Sequence, residues 1–307
     1  MKLIRDISEV PEALRRGAVT IGNFDGVHRG HARIIERVIA SAKRVDGPAV
    51  VFTFEPHPVR ILRPELAPPP LTWTERKADL LADLGVDWMI AYPTDEDLLS
   101  LSAEEFFERI VRQRLDARVM VEGPNFYFGN NRTGDIELLG KLCRKAQTDL
   151  EIVEPLKVDG EFISSSRVRE SVRRGNVQLA AEMLTRPYRI RGMVTHGAGR
   201  GSKIGFPTAN VNAVDTLLPA EGVYAGRAIV SQREFPAAIN IGPNPTFDEN
   251  VLKVEVHLLD FHETLYSAPL EVDFLERLRD IQPFASVEKL KEQLKRDVEA
   301  TRKIASS

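Results

Sequence analysis

Two imidazoles three residues apart, His28 and His31, close the string Ile21-Gly22-Asn23-Phe24-Asp25-Gly26-Val27-His28-Arg29-Gly30-His31. A short apolar run precedes this string, and a helical pattern begins around His31. Backbone N–H groups at such a helix start point at an anion, with the imidazoles flanking it. Gly22, Gly26 and Gly30 permit close backbone approach and positive φ. The set suits displacement at a nucleotide α-phosphorus, where charge builds on phosphate oxygens and departing pyrophosphate. Electrostatic stabilisation carries such a reaction without a protein nucleophile. Gly22, Asn23, Phe24, Asp25 and Gly30 are the candidate nucleotide contacts. A metal site is a rival reading, and the motif offers no obvious third ligand for it. A chance match on a turn is another, against which the strand-turn-helix setting weighs.

A second segment, Ile163-Ser164-Ser165-Ser166-Arg167-Val168-Arg169, opens a predicted helix with hydroxyls and places Arg167 and Arg169 in its first turn. Arginine is the unfavourable sign at a helix N-terminus. An anionic ligand accounts for Ser164, Ser165, Arg167 and Arg169 together, whereas an ordinary serine cap with solvated arginines is the plainer alternative. Pro56, His57 and Pro58 follow one strand-like run, and Asn125, Phe126 and Phe128 follow another. Both places lie at the ligand-binding edge of a parallel sheet, and aromatic faces there suit a flat ring system or simply the core.

Further along, His196 to Asn210 is rich in glycine, with Gly197, Gly199, Gly201 and Gly205 spaced around Arg200 and Lys203. Freed backbone N–H groups and two cations make a phosphate cradle, although no helix is expected after it and the spacing is not that of a P-loop. Pro207-Thr208-Ala209-Asn210 then offers a hydroxyl and a carboxamide, hard oxygen ligands for a magnesium ion bridging phosphates. A flexible hairpin loop is the alternative. Glu255 alternates with Val254 and Val256, sharing a face with Lys253 and His257. Inside a barrel it is a candidate general base; on a solvated face it is an ordinary glutamate.

The elements that must position these residues change character near Arg186-Pro187. Before it, short apolar runs (18–22, 49–54, 87–91 and 118–121) alternate with helical patterns, and Ser102 to Glu105 reads as a capping box. This predicts an α/β domain over 1–186, a parallel sheet with helices on both faces. After it, β-type runs at 188–195, 223–230, 237–241, 253–260 and 270–274 have no convincing helix between them. They predict an antiparallel β-barrel over 187–307, followed by a terminal helix from Val287 to about Thr301. The 307 residues suit two domains, and 42 Lys and Arg against 45 Asp and Glu leave a net charge of -3 that argues against a nucleic-acid coat. Cys143 is the sole cysteine, which excludes an intramolecular disulfide and a cysteine-based zinc site. With no signal-peptide core and no membrane-length apolar run, the chain reads as cytoplasmic, a monomer or transient homo-oligomer without membrane partners.

His28-Arg29-Gly30-His31 with Ile163 to Arg169 resembles the nucleotidyltransferase superfamily. The longer strings Gly22 to His31 and Gly123 to Asp135 resemble the adenylyltransferase half of prokaryotic bifunctional riboflavin kinase/FAD synthetases. Ser166 stands where many members have Thr, and Asn125 where many have Asp. Gly205 to Asn210, Leu218 to Tyr224, Asn240 to Phe247 and Glu255 to Phe261 are similar, in order, to the riboflavin kinase module. The resemblance implies a Rossmann-like domain and a kinase barrel that take riboflavin, FMN and ATP with Mg2+ and yield FAD. It also implies that Thr208 and Asn210 serve the metal and phosphates, that Glu255 is the base, and that His28 and His31 stabilise the leaving group. An adenylyltransferase with a flavin-binding regulatory barrel is the alternative. An RNA-binding protein is a third, disfavoured by the charge and by the missing second lysine motif of tRNA synthetases.

Overall fold

Runs of β-branched and apolar residues with no polar face become the middle of a parallel sheet, because both faces are covered by helices. The computed structural model describes residues 1–6, 10–196, 199–244 and 249–306. Its strands β1 (Lys2–Ile4), β2 (Ala18–Ile21), β3 (Ala49–Glu55), β4 (Trp88–Pro93), β5 (Val119–Glu122) and β6 (Asp149–Ile152) lie in the order β1-β4-β3-β2-β5-β6, all neighbours parallel. Helices α1 (Arg29–Arg44), α2 (Pro58–Leu62), α3 (Thr74–Asp83), α4 (Glu96–Ser100), α5 (Ala103–Phe106) and α6 (Ile136–Ala146) join them. Alternation within β3 shows the two faces: Val50 and Phe52 pack with Phe106 and Leu139, while Val51 packs with Ile35 and Leu81. The capping box at Ser102 is formed in both directions, the Glu105 N–H donating to Ser102 Oγ at 3.1 Å and the Ser102 N–H to Glu105 Oε2 at 3.0 Å. Cys143 lies in the core, and burial pushes its thiol up to about 12, so it is an inert packing group.

A small hairpin of β7 (Lys157–Val158) and β8 (Glu161–Phe162) ends this compact unit, which comprises Met1–Pro68 and Trp73–Ser164. The second unit comprises Pro69–Thr72 and Ser165–Ser307, so α7 (Ser165–Arg173) and α8 (Val177–Leu184) belong with the strands that follow. Those strands, β9 (Tyr188–Thr195), β10 (Ala209–Asn212), β11 (Gly222–Val230), β12 (Arg233–Asn244), β13 (Glu249–Leu258) and β14 (Pro269–Arg279), form a closed antiparallel barrel in the order β10-β13-β12-β11-β14-β9. Closure removes the sheet edges, and Ile190, Tyr224, Ile239, Val256, Val272 and Phe274 fill the core.

One expectation is corrected here. A helix, α9 (Arg200–Ile204), does stand between strands, bracketed by Gly199 at φ +66° and Gly205 at φ +90°. Its five residues carry no apolar stripe, so hydrophobic periodicity is silent, and the glycines' left-handed conformation sets its ends.

The terminal helix α10 (Val287–Ala305) is anchored to the barrel through Asp297, which is 4% exposed. Arg279 donates to it from Nη2 at 2.8 Å and from Nε at 3.2 Å, and Gln293 donates at 2.8 Å. Asp297→Ala strands a largely buried guanidinium, and denaturant unfolding is expected to show a loss of about 3 kcal/mol.

Candidate active sites

β2 and β5 are neighbours, yet the chain leaves β2 towards β3 and reaches β5 on the other side. The crevice past their carboxyl ends is the topological switch point, where open parallel sheets bind ligands. A cleft of about 230 Å3 opens there, with Gly22, Asn23, Phe24, His28, Gly30 and His31 on one wall and Glu122, Asn125 and Phe126 on another.

Helix α1 starts at Arg29, two residues earlier than the spacing suggests, because His28 itself is the N-cap. Its Nδ1 accepts the His31 N–H at 3.3 Å, and the two rings stack with centroids 3.6 Å apart. An accepting Nδ1 leaves the proton of a neutral imidazole on Nε2, a donor. Phe24 packs against His31 at 5.0 Å. Of the glycines, only Gly26 takes positive φ (+85°); Phe24 (+46°) and Val27 (+40°) share the left-handed conformation. For a β-branched residue that is strained backbone of the kind found around ligand sites. Gly22 and Gly30 serve close approach instead, since a Cβ would come within 3.2 Å of the Phe24 ring and 3.1 Å of the His28 ring. Asp25 is buried beside them.

Sequence reasoning missed Glu122. It ends β5, is 3% exposed, and accepts the Ile21 N–H at 2.7 Å just beyond the last ladder pair, Val19 with Met120. The carboxyl thus ties the two strands together where they part to open the cleft; a charged residue directly after a fully buried run was its only sequence signal. Burial pushes this carboxyl well above the usual carboxylate range. A raised folded pKa gives stability that is full below the ordinary carboxylate pKa and lost as pH rises through the raised value. Glu122→Gln keeps the acceptor and cannot ionise. Thermal melts are therefore expected to show the variant gaining on the parent at about pH 8 and not at about pH 4.

Ile163 lines the cleft and is followed by exposed Ser164, where the first unit ends. Ser165 begins α7, and Arg167 is half-buried on it. Arg169 is 6% exposed and donates from Nε to the Pro69 carbonyl at 2.9 Å, an anchor within its own unit. Of the residues read as a ring platform, Asn125 and Phe126 reach the cleft, whereas Phe128 is buried against Phe106 and Phe126. Pro56, His57 and Pro58 follow β3 outside the cleft lining, and His57 Nδ1 caps α2 by accepting the Val59 N–H at 3.2 Å.

In the second unit, the register of the barrel brings Asn210 on β10 opposite Glu255 on β13, and Asn240 on β12 opposite Glu255 from the other side. Val254, Val256 and Leu258 are buried while Lys253, Glu255 and His257 are half-buried. Glu255 therefore sits on the outer face of the barrel and not inside it, because alternation commits the valines to the core. Thr208, Pro207, Lys203 and Gly205 are exposed nearby in sequence, and Gly201 packs so closely that a Cβ would meet the Phe206 carbonyl at 2.3 Å. His257 Nδ1 holds the Pro207 carbonyl at 2.7 Å, tying the Pro207–Asn210 stretch to β13. Gly197 and the side chain of Arg200 lie outside the described residues. Asn240 had no role assigned from sequence; only the strand register reveals it.

A Rossmann-like unit with a histidine-capped cleft and a barrel with a carboxylate between two carboxamides define a two-domain transferase of nucleotide phosphates. Residues 10–167 match the FAD synthetase family and residues 184–305 the riboflavin kinase family. The chain is 36% identical over 299 residues to the bifunctional riboflavin kinase/FMN adenylyltransferase of Escherichia coli K12, covering 97% of this chain and 96% of that one. It is 37% identical over 307 residues to the enzyme of the same name from Pseudomonas fluorescens, covering 100% and 98%. A crystal structure described as a macrolide-efflux protein from Streptococcus pneumoniae superposes with a TM-score of 0.86 at 31% identity, covering 98% of both chains. No described helix here is long and apolar enough to cross a membrane. The chain belongs to the bifunctional riboflavin kinase/FMN adenylyltransferase family. It is an enzyme with one domain of each kind.

Proposed function

We propose that this chain phosphorylates riboflavin to FMN in the barrel and adenylylates FMN to FAD in the N-terminal domain, each step using ATP. In the first reaction Glu255 removes the proton from the ribityl 5′-hydroxyl, whose oxygen attacks the γ-phosphorus as ADP departs. Asn240, beside Glu255, holds the hydroxyl or the carboxylate in line. The glycine stretch 197–205, with Arg200, Lys203 and Pro207, cradles the phosphates. The observation that carries the kinase over a merely regulatory barrel is the register pairing of Asn210 with Glu255. It sets a carboxylate beside a hard oxygen donor, as a phosphoryl acceptor site requires.

Thr208 and Asn210 are the residues that would hold magnesium. Their hydroxyl and carboxamide oxygens are two hard donors that fit it. That suits an ion carried largely by water and substrate phosphates. When bound, it neutralises charge on the phosphate oxygens.

In the second reaction an FMN phosphate oxygen attacks the α-phosphorus of a second ATP and pyrophosphate leaves. His28, with its Nε2 proton, and His31 meet the charge on the departing group at the start of α1. Ser164, Ser165 and Arg167 bind the triphosphate, and Arg169, held by the Pro69 carbonyl, anchors the helix that carries Ser165 and Arg167; Asn125 and Phe126 face the flavin, with Phe128 supporting them and Pro56, His57 and Pro58 bounding the flavin side. The functional division falls at 186/187, and the chain works on small molecules in the cytoplasm, as a monomer or transient homo-oligomer. Incubation with riboflavin, ATP and magnesium, followed by separation of the flavins, tests the reading. FMN should appear first and FAD after it with pyrophosphate; riboflavin left unphosphorylated would defeat it.

A further inference from the structure

We propose that Lys77, on α3 and outside the cleft, is a positioning residue for adenylyl transfer, holding Asn23 so that its carboxamide meets the bound nucleotide. The proposal rests on reading the switch-point cleft as the adenylyl-transfer site. Lys77 is 6% exposed, and its Nζ donates to the Asn23 carbonyl at 2.8 Å and lies 3.4 Å from Thr53 Oγ1. Thr53 Oγ1 donates to the same carbonyl at 3.1 Å. One carbonyl, just past the end of β2, thus collects two donors from two other elements. The next residue, Phe24, has a φ of +46°, which a non-glycine residue does not keep without support.

The consequence on the cleft side is specific. Asn23 lines the cleft, and its Oδ1 is buried with no hydrogen-bond partner among the described residues. A buried polar atom left so is satisfied by something else, here a donor on the ligand. Burial lowers the Lys77 pKa, and the carboxylates of Asp25 and Glu55 oppose that and favour the charged form. A buried lysine is weak evidence of stability, since apolar replacement of buried polar or charged groups is often neutral or better. Thr53 alone would satisfy the carbonyl. The second donor, from Lys77, therefore serves the geometry of the loop.

Because the chain carries two reactions, the kinase is an internal control. In full-length protein, Lys77→Met is expected to lower kcat/KM for ATP in adenylyl transfer roughly ten- to hundredfold. KM for FMN, riboflavin phosphorylation and thermal stability should stay as in the parent. Lys77→Arg should recover part of the loss, since a guanidinium can also donate to the Asn23 carbonyl, and Thr53→Val should show a smaller loss of the same kind. Wild-type adenylyl transfer in a folded Lys77→Met protein overturns the proposal. So does an equal fall in both activities with lowered stability and no rescue by arginine. If Lys77→Met does not fold, an unchanged KM for ATP in Thr53→Val overturns it. A parent protein that makes no FAD from FMN instead defeats the reading of the cleft on which the proposal rests.

Discussion

Glu255→Gln is expected to cut FMN formation from riboflavin by roughly 10²–10⁴-fold, the range for losing a general base. FMN-to-FAD conversion by the same protein should be unchanged. Glutamine keeps the size and hydrogen-bonding capacity of the side chain and loses only the ability to take a proton. Glu255 lies on the half-buried outer face, between Asn210 and Asn240, so the barrel core of Val254, Val256 and Ile239 is untouched. A fall in kcat with KM for riboflavin nearly constant is the signature of a group acting in the transition state. If riboflavin phosphorylation persists at the parent rate, Glu255 is not the base.

His28→Asn should do the reverse. Asparagine is among the best N-cap residues, so it can replace the Nδ1 acceptor for the His31 N–H and keep α1 intact. What it removes is the stacked imidazole at the mouth of the helix and its Nε2 donor. Adenylyl transfer is expected to fall about 10²–10³-fold, the scale for losing one donor to a developing charge. Riboflavin phosphorylation should continue, so FMN accumulates in place of FAD. His28→Ala would add a cap loss of about 1 kcal/mol and blur the comparison.

The central strands were legible because full burial on both faces forces near-continuous apolar runs, as in Ala18–Ile21 and Ala49–Glu55. The edge strands β1 and β6 were not. Lys2–Ile4 is only three residues with an exposed lysine, and Asp149–Ile152 carries two acids, since an edge strand need not be apolar on both faces. In the candidate site, only what is local in sequence offered a signal: the histidines, the glycines, the serine-arginine segment, the Thr-Asn pair. Contacts that close over long separations could not be read. Glu122 meets Ile21 across 101 residues, and Lys77 meets Asn23 across 54. Lys77 did leave one trace, for it stands three and four residues before Leu80 and Leu81, on the apolar side of its helix. Glu255 stood out as a candidate with its face left open, because alternation separates two faces without saying which is inside; the burial of Val254 and Val256 assigns it to the outer one.

The central claim is that each half of this chain runs one reaction and that the product of the first feeds the second. Mixing the two variants tests it directly. With riboflavin, ATP and magnesium, His28→Asn alone should stop at FMN and Glu255→Gln alone should leave riboflavin unchanged, whereas the mixture should produce FAD. FAD formed from riboflavin by either variant alone at the rate of the parent protein would contradict the account.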